Sequence, residues 1–220
     1  MIRSWWGIVS RDIKLSLWRS ESLALSLTFG ILVVLTFAMT AGPETLGDET
    51  VAGVTWSAFV FAGIVNLTGS FRRERANAGM DLMKMAGMPA ELIYLAKLVS
   101  GFVGLAVCNL VIGLAGGILL GMEVGLAPFL QLSAIAALGT LAICAVGSLV
   151  AAISSELKGG ESLLVALLLP LLLPVIIASA RSFTSVLAGE GMSSRWLLFG
   201  LIYTATFLAV SILLFEKVIE

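Results

Sequence analysis

Histidine is absent from this chain of 220 residues. That removes the commonest zinc and haem ligand, and the commonest general base near neutral pH, from any chemistry the chain performs. Charge is nearly as scarce: 12% of the residues are Asp, Glu, Lys or Arg, against about 25% in soluble domains. The two cysteines, Cys108 and Cys144, sit far apart in apolar runs. They form no CxxC pair, which excludes a thioredoxin-type motif and gives no zinc pattern, so they read as packing residues. No GxxxxGK[ST] phosphate loop and no HExxH metal motif occurs. Catalytic and metal-ligating residues are therefore assigned nowhere, and the chain reads as a non-enzyme whose energy source, if it uses one, lies on another polypeptide.

What the chain has in quantity is apolar surface: 59% hydrophobic residues and a mean hydropathy of +1.08. The expected fold class is all-α, a single polytopic membrane domain over 1–220. Six stretches free of Asp, Glu, Lys and Arg are long enough to cross the hydrocarbon: 22–41, 51–71, 98–121, 128–153, 162–180 and 196–215. Each should be helical, because an open strand in lipid leaves its backbone groups unpaired. Six spans leave little length for a soluble domain.

The turns carry the charge, and they carry it unevenly. Arg3, Arg11, Lys14 and Arg19 precede the first span; Arg72, Arg73, Arg75, Lys84 and Lys97 follow the second; Lys158 and Lys217 follow the fourth and sixth. The opposite turns hold Glu44, Asp48, Glu49 and Glu123, with only Arg181 and Arg195 as cations. Basic residues gather on the cytoplasmic side, so both termini are expected there. At about 100° per residue, Trp5, Trp6, Val9, Ile13 and Leu17 share one face of 1–21, opposite Arg3, Arg11 and Lys14. This predicts an interfacial amphipathic helix, either a generic anchor or an elbow that grips other helices. The small residues at "AMTAG" resemble a cleavage site, but the long segment ahead of the first span argues for a retained anchor.

Ion-driven carriers usually keep an ionisable group near the bilayer midplane. None lies in these spans, which argues against proton coupling while leaving sodium coupling through broken helices open. Asn66, Asn109 and Gln131 either bond between helices or line a pore. Pro170 and Pro174, four residues apart in "LLLPLLLPVII", each remove a backbone hydrogen bond and are candidates for a hinge or for a static kink. The segment from Arg181 to Arg195 reads either as a short interfacial helix or as a loop.

The most polar stretch is "FRRERANAGMDLMKMAGMPAELIYLAKL", 71–98. Projected as a helix, Arg73, Glu74, Asn77, Asp81 and Lys84 share one face, with Ala76, Gly79, Met80, Leu82, Met83 and Ala86 on the rest. Gly87 should stop that helix, and Pro89 should open the next, with Glu91 near its positive end. Mixed charge and adaptable methionines suit a protein partner better than lipid, although any cytoplasmic loop is basic and any short helix on a membrane is amphipathic.

On these residues the segment resembles the ABC-2-type permease superfamily. The chain as a whole is more closely similar to the cytochrome c maturation protein B family, the haem exporter B membrane subunits. The likeness continues through "SRDIKLSLWRSESL", "AGPE", "GVTWSAFVFAGIV", "GGESLLVALLLPLLLPVIIASA" and "LLFEKVIE". The resemblance implies a bacterial inner-membrane transport subunit with no ATPase of its own, paired with a CcmA-like cytoplasmic ABC ATPase. It places the coupling contact in 72–97, on Glu74, Asn77, Gly79, Asp81 and Pro89, with Arg73 and Lys84 on the same polar face. It further implies a CcmC-like haem-handling membrane protein, a small membrane subunit, and a second six-span half as homodimer or heterodimer. ATP would sit on the partner and haem would be substrate or neighbour, with no haem ligand assigned here. Within the same superfamily, export of a lipid, drug or polysaccharide, or a scaffold without transport, stands as the alternative. Nucleic acid is not expected as a partner.

Overall fold

The protein is described by a computed structural model over residues 7, 9, 10, 13, 21–41, 46–76, 89–122, 124–155 and 160–219. From residue 21 on, six helices follow one another among the described residues: α1 (Glu21–Ala41), α2 (Asp48–Ala76), α3 (Ala90–Leu119), α4 (Leu126–Ser155), α5 (Gly160–Leu187) and α6 (Ser194–Ile219). All six are long and apolar enough to cross a membrane, and no strand occurs among the described residues. This is a polytopic all-α membrane protein. The shortest, α1, has 21 residues, about 31 Å at 1.5 Å per residue, which just covers the hydrocarbon core.

The helices overrun the uncharged stretches that predict them. α2 continues through Arg72, Arg73, Glu74 and Arg75 to Ala76, so these residues extend a spanning helix. α3 begins at Ala90, which places Glu91 and Lys97 on its opening turns. α5 runs past Arg181 to Leu187, so the first half of the segment from Arg181 to Arg195 neither forms a separate helix nor loops out. Apolar length marks where hydrocarbon lies, whereas a helix continues into the interface for as long as its backbone bonds and caps allow. α5 finally ends in a turn where Gly189 and Gly191 take φ of 78° and 77°, values that only glycine adopts without a Cβ clash. Of the predicted interfacial helix at 1–21, only Gly7, Val9, Ser10 and Ile13 precede α1 among the described residues. All four have helical backbone, and Val9 is buried.

Successive helices run in opposite directions, and contacts at both ends of the bundle fix this. At one end, a Cβ on Gly69 of α2 would meet the Ser22 side chain of α1, and the Tyr94 ring of α3 lies 5.3 Å from that of Phe215 of α6. At the other, Arg181 Nη1 of α5 donates to Glu49 Oε1 of α2 at 3.1 Å. That exposed pair contributes at most about 1 kcal/mol, but it records which ends meet.

α2 is the central helix. In its span 72% is buried, against 17% for α6, and it packs on α1, α3, α4 and α5. Helices in lipid gain nothing by hiding apolar side chains from apolar solvent, so their contacts rest on small residues that let large ones seat deeply. Gly139 of α4 receives the fully buried Trp56 of α2: a Cβ there would lie 2.2 Å from Trp56 Cη2. Two turns on, a Cβ on Gly147 would lie 2.3 Å from Leu67 Cδ1. α2 and α4 therefore form the fixed centre against which the other helices are placed.

Candidate functional site

Three places have the chemistry or the geometry for function. The first is the connection between α2 and α3. Arg73 and Glu74 lie on the last turn of α2, and Pro89 stands at the position just before α3, with φ −56° and ψ 139°. Proline has no N–H to lose there, and its carbonyl accepts from the Leu92 and Ile93 amides at 3.1 and 3.2 Å. Glu91, exposed on the first turn of α3, faces the positive end of the helix dipole. Asn77, Gly79, Asp81 and Lys84 lie outside the described residues. The two helices that flank this connection are the central α2 and the proline-started α3.

The second place is the middle of α5. Both Pro170 and Pro174 lie inside a continuous helix. Pro170 is exposed and Pro174 half-buried, while their neighbours Leu168 and Leu172 are fully buried. Pro174 removes the donor that would reach the Pro170 carbonyl and crowds the preceding turn. Within that turn, the Tyr203 hydroxyl of α6 donates to the Leu171 carbonyl. The Tyr203 and Phe207 rings stand 4.6 Å apart beside it. A side chain from the neighbouring helix thus ties α6 to the proline turn, at the carbonyl next to the one that Pro174 leaves without a donor.

The third place is a lateral cleft of about 500 Å³ between α3 and α4. Small residues face each other across it: Ala106, Gly113 and Gly117 from α3, and Ser133, Ala136 and Ala137 from α4. Phe59 of α2 and Phe183 of α5 close the back, and Phe129, Met122 and Val124 close the end towards the α3–α4 turn. Deep in this cleft Asn109 Nδ2 donates to Thr140 Oγ1 at 2.9 Å, and Thr140 Oγ1 donates in turn to the Ala136 carbonyl at 2.6 Å. Asn109 Oδ1 is buried and accepts no hydrogen bond among the described residues. Asn109 therefore bonds between helices and also lines a cavity, two roles that its sequence position leaves open. Neither the sequence pattern of 71–98 nor the prolines point to this cleft. Its signal is the spacing of Asn109, Gly113 and Gly117 on one helical face, which becomes meaningful only with Ser133, Ala136 and Ala137 opposite.

Cys108 and Cys144 are free and buried in α3 and α4, in keeping with packing. A smaller concavity of about 440 Å³ lies beside the Arg181–Glu49 pair, lined by Ile176, Ile177, Ala180 and Thr184.

The family described as CcmB protein matches residues 3–216. Among curated relatives, "Heme exporter protein B" of Pseudomonas aeruginosa is 29% identical over 191 residues, covering 86% of this chain and 85% of that protein. The proteins of the same name from Haemophilus influenzae and Bradyrhizobium diazoefficiens are 24% identical over 187 residues and 25% over 184. They cover 84% and 83% of this chain, and 82% of each relative.

Proposed function

Because this chain belongs to the CcmB protein family, we propose that it is the membrane permease subunit of a haem exporter serving cytochrome c maturation, driven by a separate cytoplasmic ABC ATPase. The observation that carries this reading is the likeness to relatives named "Heme exporter protein B" along more than four-fifths of the chain, on a body whose described part is six spanning helices. Such a body has spans and turns but no phosphate-binding loop, so ATP is bound and hydrolysed on the partner.

The basic end of the bundle, which carries Ala76 and Pro89, faces the cytoplasm of a bacterial inner membrane. There the segment 72–97 meets the ATPase through Arg73, Glu74, Asn77, Gly79, Asp81, Lys84 and Pro89. Because α2 is packed on four neighbours, displacement at Ala76 is carried into the bundle core. α5, which carries Pro170 and Pro174 inside it, is the helix that yields. A second six-span half completes the exporter, and a CcmC-like membrane protein with a small membrane subunit handles haem beside it. ATP turnover then releases haem-loaded chaperone on the far side.

The test is charge reversal at the proposed contact. Glu74→Lys with Asp81→Lys should abolish co-purification with the ATPase while the membrane protein keeps its yield and its elution as a single species. Retention of the ATPase by that variant would remove the coupling role of this segment.

A further inference from the structure

Arg181 and Glu49 stand where hydrocarbon gives way to headgroups. Arg181 is the first charged residue after the uncharged run 162–180, and Glu49 is the last before the run 51–71. Lipid phosphates and amines lie at this level. The pair itself is loose: a single contact of 3.1 Å, with the two side chains still 56% and 76% exposed. Opening it therefore costs at most about 1 kcal/mol, and the guanidinium has N–H donors beyond the one at Nη1 that Glu49 accepts. A concavity of about 440 Å³ lies beside the pair. Ile177, 52% exposed, lines it four residues before Arg181, about 6 Å nearer the hydrocarbon along α5, with Ile176 and Ala180 adjoining. Thr184 lines the opposite end. Its Oγ1 donates to the Ala180 carbonyl at 3.0 Å, so towards a ligand it can only accept.

From these observations we infer that this concavity is a binding site for a zwitterionic phospholipid whose headgroup carries a primary ammonium. Arg181 donates to the phosphate, the fork of its guanidinium matching two phosphate oxygens. Glu49 and Thr184 Oγ1 accept from the ammonium, and the upper part of an acyl chain lies over Ile176 and Ile177. Donor and acceptors of this kind, close together on one side of an apolar step, distinguish the occupant from other lipids. A purely anionic headgroup would meet Glu49 within a few ångströms of the cation that attracts it, and a trimethylammonium has the charge but no N–H to give. The inference rests on this end of the bundle alone and holds whichever substrate is exported.

Native mass spectrometry of the whole chain in detergent, titrated with palmitoyl-oleoyl phosphatidylethanolamine, phosphatidylcholine or phosphatidylglycerol, tests it. The first phosphatidylethanolamine should bind about tenfold tighter than phosphatidylcholine, the factor of one charge-assisted hydrogen bond, and phosphatidylglycerol no tighter than phosphatidylcholine. Glu49→Gln should bring phosphatidylethanolamine down to phosphatidylcholine, whereas Arg181→Gln should weaken both. Asp48→Asn, one residue away and not on the lining, should leave the preference intact. Since the pair is exposed, all three variants should elute as a single species like the parent. Equal binding of phosphatidylethanolamine and phosphatidylcholine, tightest binding of phosphatidylglycerol, a preference that survives Glu49→Gln, or one lost equally in Asp48→Asn would overturn the site. Displacement of the lipid by soluble phosphoethanolamine at the same concentration would also overturn it, in favour of a water-soluble zwitterion that makes no use of the isoleucines.

Discussion

Two residues carry opposite lessons about packing in lipid. Gly139 is where Trp56 enters α4, and a methyl group there would lie 2.2 Å from Cη2 and 2.6 Å from Cζ3 of a fully buried indole. Gly139→Ala should cost about 1–3 kcal/mol through overpacking, read as a lowered midpoint of unfolding in detergent. Gly117, whose Cβ would meet nothing nearer than Met122 Cε at 4.0 Å, should tolerate alanine and gain up to about 1 kcal/mol from its better helix propensity. The Asn109–Thr140 bond allows a sharper test. Thr140→Val leaves both ends of the Asn109 amide unpaired and should cost about 1–2 kcal/mol. Adding Asn109→Leu should restore most of it, because two apolar partners leave nothing unsatisfied. Additive losses in the double-mutant cycle would show that the pair contributes nothing as a unit. At this scale the sequence is nearly mute: it offers Asn109 as a polar residue in grease, and only the position of Thr140, on another helix, tells what that residue does.

Among the elements, the six spans were legible because each must present an uncharged run of hydrocarbon length, and six described helices coincide with the six runs. Their ends were not, since Arg72 to Arg75 and Arg181 are polar enough to look like turns and yet continue α2 and α5 as helix. The site was legible only in part. Pro89 sits at the start of α3 as its missing N–H requires, but the contact surface attributed to Asn77, Gly79, Asp81 and Lys84 lies beyond the described residues, and the cleft depends on which faces meet. α5 is the element most open to test. Tyr203→Phe removes the donor to the Leu171 carbonyl and should cost about 1 kcal/mol. Pro174→Ala should leave ATPase docking intact but impair cytochrome c maturation, measured by haem staining of the mature cytochromes. Normal maturation in that variant would remove the hinge role of the prolines.

For the whole molecule, α2 packs on α1, α3, α4 and α5, with antiparallel neighbours registered at both ends by Ser22 with Gly69, Tyr94 with Phe215, and Arg181 with Glu49. Such a bundle has two distinct ends, and the account depends on which of them meets the cytoplasm. Among the described residues, Arg181 and Arg195 are the only cations at the end where α5 gives way to α6, whereas Arg72, Arg73, Arg75, Lys97 and Lys217 belong to the other end. That imbalance sets the expected orientation and puts the α2–α3 connection within reach of a soluble ATPase. The most direct measurement is the sidedness of that connection. A single cysteine placed by Asn77→Cys, with Cys108 and Cys144 replaced by alanine, is exposed to a membrane-impermeant maleimide in right-side-out and in inverted inner-membrane vesicles. Labelling in inverted vesicles alone is the predicted result; labelling in right-side-out vesicles would place the segment on the wrong side of the membrane and contradict the account.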